Sequence, residues 1–177
     1  MIFSIQRLVE LIDLFTCKLG RLISWLVLAM MLATFITVLL RYGFGIGSIA
    51  LQESVTYMHA AVFLLCAGFT LQHNGQVRVD IFYSRFSCHR RAWVDALGSA
   101  VLLIPFCIFL IFISWHFVSS SWRILEISSE PGGIAGVFLL KSLIPLGAFT
   151  LALQGLAEAL RNLLVLMLPA NTQEPKL

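Results

Sequence analysis

"LISWLVLAMMLATFITVLL" occupies Leu22–Leu40, nineteen residues without an aspartate, glutamate, lysine or arginine. A helix needs roughly 18 or more apolar residues to cross a bilayer, so this stretch predicts a membrane-spanning helix. Three further stretches carry no such charge: Ser54–Gly75, Ala96–Trp122 and the shorter Ser142–Ala157. The last is extended by Gly136–Leu140 if the stem of Lys141 snorkels to the headgroups. The sequence therefore predicts four spans.

Composition agrees with this prediction. The 177-residue chain is 59% hydrophobic and 12% charged, with a mean hydropathy of +0.93, whereas soluble domains are about 45–50% apolar and about 25% charged. The fold class expected is an all-α membrane protein with one domain over residues 1–177. We place the spanning helices at about 21–41, 52–73, 94–121 and 137–160, and a tail at 161–177.

Basic residues predict the orientation, because lysine and arginine in short loops stay on the cytoplasmic side. Nine of the twelve fall before the first span, in the second loop or in the tail: Arg7, Lys18, Arg21, Arg78, Arg85, Arg90, Arg91, Arg161 and Lys176. The other three are Arg41, Arg123 and Lys141. A multi-pass protein with cytoplasmic N- and C-termini follows.

Residues 1–20 carry an amphipathic pattern. Apolar residues recur at helical spacing on one side (Ile5, Leu8, Val9, Leu11, Ile12, Phe15 and Leu19), and polar residues fill the other (Gln6, Arg7, Glu10, Asp13 and Lys18). Such a segment is typical of a helix lying in the membrane interface. The alternative is a soluble N-terminal arm.

Signatures of catalysis are missing from the sequence. The four cysteines form no C-x-x-C pair, and neither a nucleophile elbow, an H-E-x-x-H motif nor a G-x-x-x-x-G-K loop occurs. We therefore expect no enzyme, no catalytic, substrate-binding or metal-ligating residue, and no cofactor in this chain. One alternative stays open: His59 and His116 lie at similar depth on two predicted spans and could ligate a haem, as in a four-helix b-type cytochrome subunit.

Carboxylates deep in a span, which mark coupling sites in autonomous transporters, are also missing. Glu53 lies at the start of the second span, where it could serve only as a helix-start carboxylate or could bond to a partner subunit or to Arg41. Glu158 lies near the end of the fourth span, and Arg161 follows three residues later, so these two can form an ion pair. A four-helix protein of this kind is expected to serve a larger partner.

Arg78 and Asp80 lie two residues apart in the second loop, where an extended chain would put both on one side. They could form a surface ion pair that contributes 0 to about 1 kcal/mol. They could instead bond to helix ends or a partner, where loss of one member of a buried pair costs about 3–5 kcal/mol. We favour the second hypothesis.

Several motifs together resemble a known family. They are "RYGFG" (Arg41–Gly45), "LQES" (Leu51–Ser54), Gly68, "VRVDIFYSRFS" (Val77–Ser87), "RAWVDALGS" (Arg91–Ser99), "LIPF" (Leu103–Phe106), "EPGG" (Glu130–Gly133) and "LLKSLIPLGAF" (Leu139–Phe149). Between about Arg41 and Arg161 the chain resembles the small membrane subunit of tripartite ATP-independent periplasmic (TRAP) transporters. It departs from the pattern at Gln76, where the family often has a histidine.

The resemblance implies a bacterial inner-membrane subunit that pairs with a large permease carrying the sodium and substrate sites. A periplasmic binding protein delivers the solute, usually an organic acid, and the small subunit acts as a stator for the moving permease. Its interface residues would include Arg41, Tyr42, Gln52, Glu53, Arg78 and Asp80, with Glu158 and Arg161 as an interface pair. Anionic lipids are expected to bind the cytoplasmic arginines, and no nucleic-acid partner is expected.

Overall fold

A computed structural model describes residues 2–76, 83 and 86–167 of the chain. Within these residues the regular structure is helical throughout. The helices are α1 (Ile2–Gly43), α2 (Ile49–Leu65), α3 (Ala67–Gln72), α4 (Cys88–Leu97), a π-helical segment (Gly98–Leu103), α5 (Ile104–Ile124) and α6 (Val137–Met167).

Four helical stretches are long and apolar enough to cross a membrane, which confirms the predicted fold class. They cover Phe3–Gly43, Ile49–Gln72, His89–Ile124 and Val137–Met167. The second span joins α2 to α3, and the third joins α4, the π-helical segment and α5. We name the two ends of the bundle after acidic residues that lie there. The Asp13 end holds the start of α1 and the end of α6, and the Glu53 end holds the loops at 44–48 and 125–136.

The first span differs from its expected form. Residues 1–20 were expected as a separate interfacial helix, but α1 runs unbroken from Ile2 to Gly43, 42 residues or about 63 Å. Its first half packs into the bundle, because Val9 and Ile12 form a buried cluster with Ala157 of α6. Leu11 on the other side is exposed. The apolar residues of this segment therefore line two surfaces, one packed inside the bundle and one exposed.

Spans two and three contain local irregularities. Cys66 lies between α2 and α3, with backbone angles that remain in the right-handed helical region. In the third span the π-helical segment ends directly before α5, which has Pro105 in its first turn. Because proline has no N–H and its ring crowds the preceding turn, a widened turn at this point relieves the crowding. The distortion near Pro105 is thus a π-helical segment on its N-terminal side.

α6 is the central helix, since it packs against α1, α2, α3, α4, the π-helical segment and α5. The residues it buries are mostly small: Gly147, Ala148, Thr150, Gln154, Gly155, Ala157 and Ala159. Lipid gives helices no hydrophobic reason to associate, so small side chains that let backbones approach closely are the usual basis of packing. At Gly147 the approach is extreme, because a Cβ there would lie 2.8 Å from Cβ of Leu64 and 2.9 Å from its carbonyl oxygen.

This contact predicts the effect of Gly147→Ala. The added methyl group meets backbone atoms of α2 that cannot rotate away, so overpacking should lower the free energy of unfolding by about 1–3 kcal/mol. Gly98→Ala is the matched control, because a Cβ at Gly98 meets nothing within 4 Å, and alanine also favours the helix by about 1 kcal/mol. In thermal unfolding in detergent micelles, the midpoint of Gly147→Ala should lie below that of the unmodified chain, and the midpoint of Gly98→Ala should lie at or above it. Equal midpoints for the two variants would contradict the packing.

Candidate functional site

Asp13 lies at the centre of a polar cluster that joins α1 to α3 and α6. Its Oδ2 accepts a hydrogen bond from Nη2 of Arg161 at 2.7 Å, and its Oδ1 accepts one from Nε2 of Gln154 at 2.9 Å. Its main-chain carbonyl oxygen accepts a third from Nε2 of Gln72 at 3.1 Å. Three helices are therefore connected through one residue of α1.

Arg161 extends this cluster along α6. Its Nη1 donates to Oε2 of Glu158 at 2.5 Å, so the pair expected from the sequence spacing is present. The Nδ2 of Asn162 donates to the carbonyl oxygen of Glu158 at 2.9 Å. Arg161 thus lies between two carboxylates, Asp13 on α1 and Glu158 on its own helix. Its side chain is 38% exposed, so these ion pairs are neither fully screened nor fully desolvated.

Asp13 was not predicted as part of this cluster. The sequence interpretation placed it on the solvated side of an interfacial helix with Glu10. A signal existed, because Asp13 follows Val9 by four residues and precedes Thr16 by three, so it shares their helical face. Both neighbours are buried, and that face is the one turned towards α6.

Glu53 forms a second cluster at the opposite end of the bundle. One carboxylate oxygen accepts a hydrogen bond from the hydroxyl of Ser128, and the other accepts one from the main-chain N–H of Ile134 at 2.6 Å. Both partners lie in the loop between α5 and α6. Glu53 was expected to bond to a partner subunit or to Arg41, but within the described residues its two oxygens bind this loop.

The same loop is fastened to α6 by a second acid. Glu126 forms an ion pair with Lys141, whose ammonium also lies 4.0 Å from the ring centroid of Phe117. The hydrogen bond from Lys141 lowers the pKa of Glu126. A lowered pKa means that the pair stabilises the fold at neutral pH and that this contribution disappears as the pH falls through the lowered value. The loop is therefore held to α2 and to α6 under ordinary conditions.

Three predicted interface residues have exposed side chains near the Glu53 end. Arg41 and Tyr42 lie in the last turn of α1, and Gln52 lies in the first turn of α2. Tyr42 is 83% exposed. These three are free to contact a partner, whereas Arg78 and Asp80 fall outside the described residues.

α1 also presents a long apolar surface, since none of its most hydrophobic window is buried inside the chain. Its exposed large side chains beyond Gly20 are Leu22, Trp25, Val27, Leu28, Met31, Leu32, Phe35, Ile36, Val38 and Leu39. A surface of this size in a spanning helix faces lipid or another membrane subunit.

His59 and His116 are both exposed side chains, on α2 and α5. The His59 ring stacks on Phe63 of its own helix, with ring centroids 6.4 Å apart. The wall around His116 comes from its own helix, namely Ile111, Phe112 and Trp115. The geometry thus gives no support to a haem between them. Among the residues that the structure describes, no group of three histidines, cysteines or acids could hold a metal ion.

The Asp13 cluster yields a stability prediction. Asp13→Asn removes the charge facing Arg161 and should lower the free energy of unfolding by about 1–3 kcal/mol, between the values for exposed and buried pairs. Glu10→Gln is the matched control, because Glu10 is exposed one helical turn earlier, and its effect should stay within about 0.5 kcal/mol. Thermal unfolding of the purified chain measures both. If Asp13→Asn and Glu10→Gln unfold at the same temperature, the cluster contributes nothing to the stability of the fold.

Comparison with known families agrees with the architecture. Residues 30–165 match the family described as "Tripartite ATP-independent periplasmic transporters, DctQ component". The searches of curated proteins and of solved structures gave no significant match. The family match covers all of α2–α6 up to residue 165 and the last third of α1, well over half of the chain. The chain therefore belongs to the DctQ family and is the small membrane component of a TRAP transporter, not an enzyme.

Proposed function

We propose that this chain is a stator: a frame of fixed internal geometry that holds the large permease in the bilayer while the permease moves its substrate. The observation that carries the proposal is that four acidic side chains bond to other parts of the same chain. Asp13 and Glu158 bind Arg161, Glu53 binds the loop between α5 and α6, and Glu126 binds Lys141. Each end of the bundle is thereby fastened by polar bonds within the chain.

A frame must resist the drag of a moving neighbour, and two properties of the chain suit that task. α6 contacts every other helix that the structure describes, so a force on one span is passed to the rest through packed backbone. The spanning surfaces are broad and apolar, particularly on α1 and α5, which favours a stable position in lipid or against a large partner. Exposed Arg41, Tyr42 and Gln52 are the proposed contacts with the permease near the Glu53 end.

Partners follow from the family. A DctQ component works with a large permease and a periplasmic substrate-binding protein. We propose that sodium and the solute, an organic acid or related small molecule, bind to those two proteins and that the chain itself has no cofactor. The basic residue distribution supports cytoplasmic termini in the bacterial inner membrane. It also supports binding of anionic lipid headgroups by the cytoplasmic arginines.

The proposal is tested by locking two spans together with a disulfide. Gly20 of α1 faces Phe69 of α3, and a Cβ at Gly20 would lie 2.8 Å from the Phe69 Cβ. Cysteines at both positions, Gly20→Cys with Phe69→Cys, need a separation of about 3.5–4.5 Å and can reach it by a small shift once the phenyl ring is gone. The native cysteines are replaced first. The complex is reconstituted in vesicles, and sodium-driven uptake is followed for the solute retained by the cognate binding protein.

A stator requires no movement between α1 and α3, so the oxidised pair should transport at the same rate as the reduced pair. Each single cysteine, given the same oxidant, controls for damage by oxidation. If disulfide formation abolishes uptake and a reductant restores it, the two spans must move against each other during transport. That result would contradict a stator of fixed internal geometry.

A further inference from the structure

A groove of about 710 Å³ runs along the bundle between α5 and α6. Most of its wall is apolar, with Ile111, Trp115 and Val118 from α5 facing Pro145, Leu146 and Phe149 from α6. From Ile111 to Arg123 the groove follows thirteen residues of α5, a rise of about 18 Å. It is therefore long and runs parallel to the spanning helices.

Polarity changes along this groove. Its polar lining residues are Ser119, Arg123 and Ser142, and Arg123 lies in the last turn of α5 at the Glu53 end. At the same end the indole N–H of Trp122 donates to the hydroxyl of Ser142 at 2.8 Å, which fixes the indole ring beside the opening. An apolar channel with a tryptophan and a cation at its mouth matches the polarity of an amphiphile at a membrane interface.

Arg123 is the cation at the polar end of this groove. It is exposed, and no described carboxylate pairs with it. Of the acids at this end, Glu126 pairs with Lys141, Glu53 is occupied by Ser128 and Ile134, and exposed Glu130 forms no ion pair with Arg123 among the described residues. Lys141 in the same region thus has its counter-ion within the chain, whereas Arg123 has none among the residues that the structure describes.

We propose that this groove binds an anionic glycerophospholipid, with one acyl chain between α5 and α6 and the phosphate on the guanidinium of Arg123. A guanidinium can hold two phosphate oxygens at once. A headgroup that has no ammonium group of its own leaves the full negative charge of the phosphate available to Arg123. The site is independent of the proposed stator role, because it rests on the groove and its charge alone.

Tryptophan fluorescence tests the site directly, since Trp115 and Trp122 line the groove. Trp25→Phe and Trp93→Phe remove the other two indoles, which are exposed elsewhere. The purified full chain in neutral detergent is titrated with phosphatidylglycerol brominated on its acyl chains, which quenches indoles that it touches. Brominated phosphatidylcholine is the comparison. Phosphatidylglycerol should reach half-quenching at about a tenfold lower concentration, the size expected for one charge-assisted contact.

Arg123→Gln should remove this preference, so that phosphatidylglycerol and phosphatidylcholine reach half-quenching at the same concentration. Arg41→Gln is the matched control, an exposed arginine in the last turn of α1 that does not line the groove, and it should keep the preference. Equal quenching by both lipids in the unmodified chain would overturn the proposal. So would a preference that survives Arg123→Gln.

A second measurement decides whether protein covers the groove in the assembled transporter. Native mass spectrometry of the complex with its large permease counts retained phosphatidylglycerol molecules. The Arg123→Gln complex should retain one fewer than the unmodified complex. An unchanged count in Arg123→Gln would assign the groove to a permease helix and overturn lipid binding there.

Discussion

Close contact between α6 and the other helices is the constraint on which this bundle depends. In a bilayer the lipid tails are as apolar as the side chains, so helices associate through tight packing and polar bonds and not through burial of apolar surface. Small residues on α6 supply the first: Gly147 brings its backbone against Leu64, and Ala157 packs against Val9 and Ile12. A bulkier face on α6 would separate it from α1 and α2 together.

Polar bonds between helices are the second basis of association, and they are concentrated at the two ends of the bundle. The Asp13 cluster fixes α1 and α3 to α6, and the Glu53 cluster fixes α2 to the loop that connects α5 with α6. Between these ends the chain presents apolar surface to its surroundings. A small subunit built in this way has little freedom to rearrange internally, and that is the property a stationary partner of a moving permease requires.

The sequence was sufficient for local features and insufficient for long-range ones. Charge-free runs predicted the four spans, and the three-residue spacing predicted the Glu158–Arg161 pair, because both depend on neighbours in the chain. The bond between Asp13 and Arg161 spans 148 residues, and that between Glu53 and Ile134 spans 81. Hydropathy carries no information about such partners. For the same reason Asp13 was interpreted as a solvated residue, and the bonds of Glu53 to Ser128 and Ile134 were not predicted.

The most direct measurement of the central claim is the distance between two helices that both pack on α6 while the transporter works. Spin labels at Leu22→Cys on α1 and Phe112→Cys on α5 occupy exposed positions, and the native cysteines are replaced. Double electron–electron resonance is recorded on the assembled transporter with and without sodium, solute and binding protein. A frame of fixed geometry predicts the same distance distribution under all conditions. A distribution that shifts or divides when sodium and solute are added would contradict it.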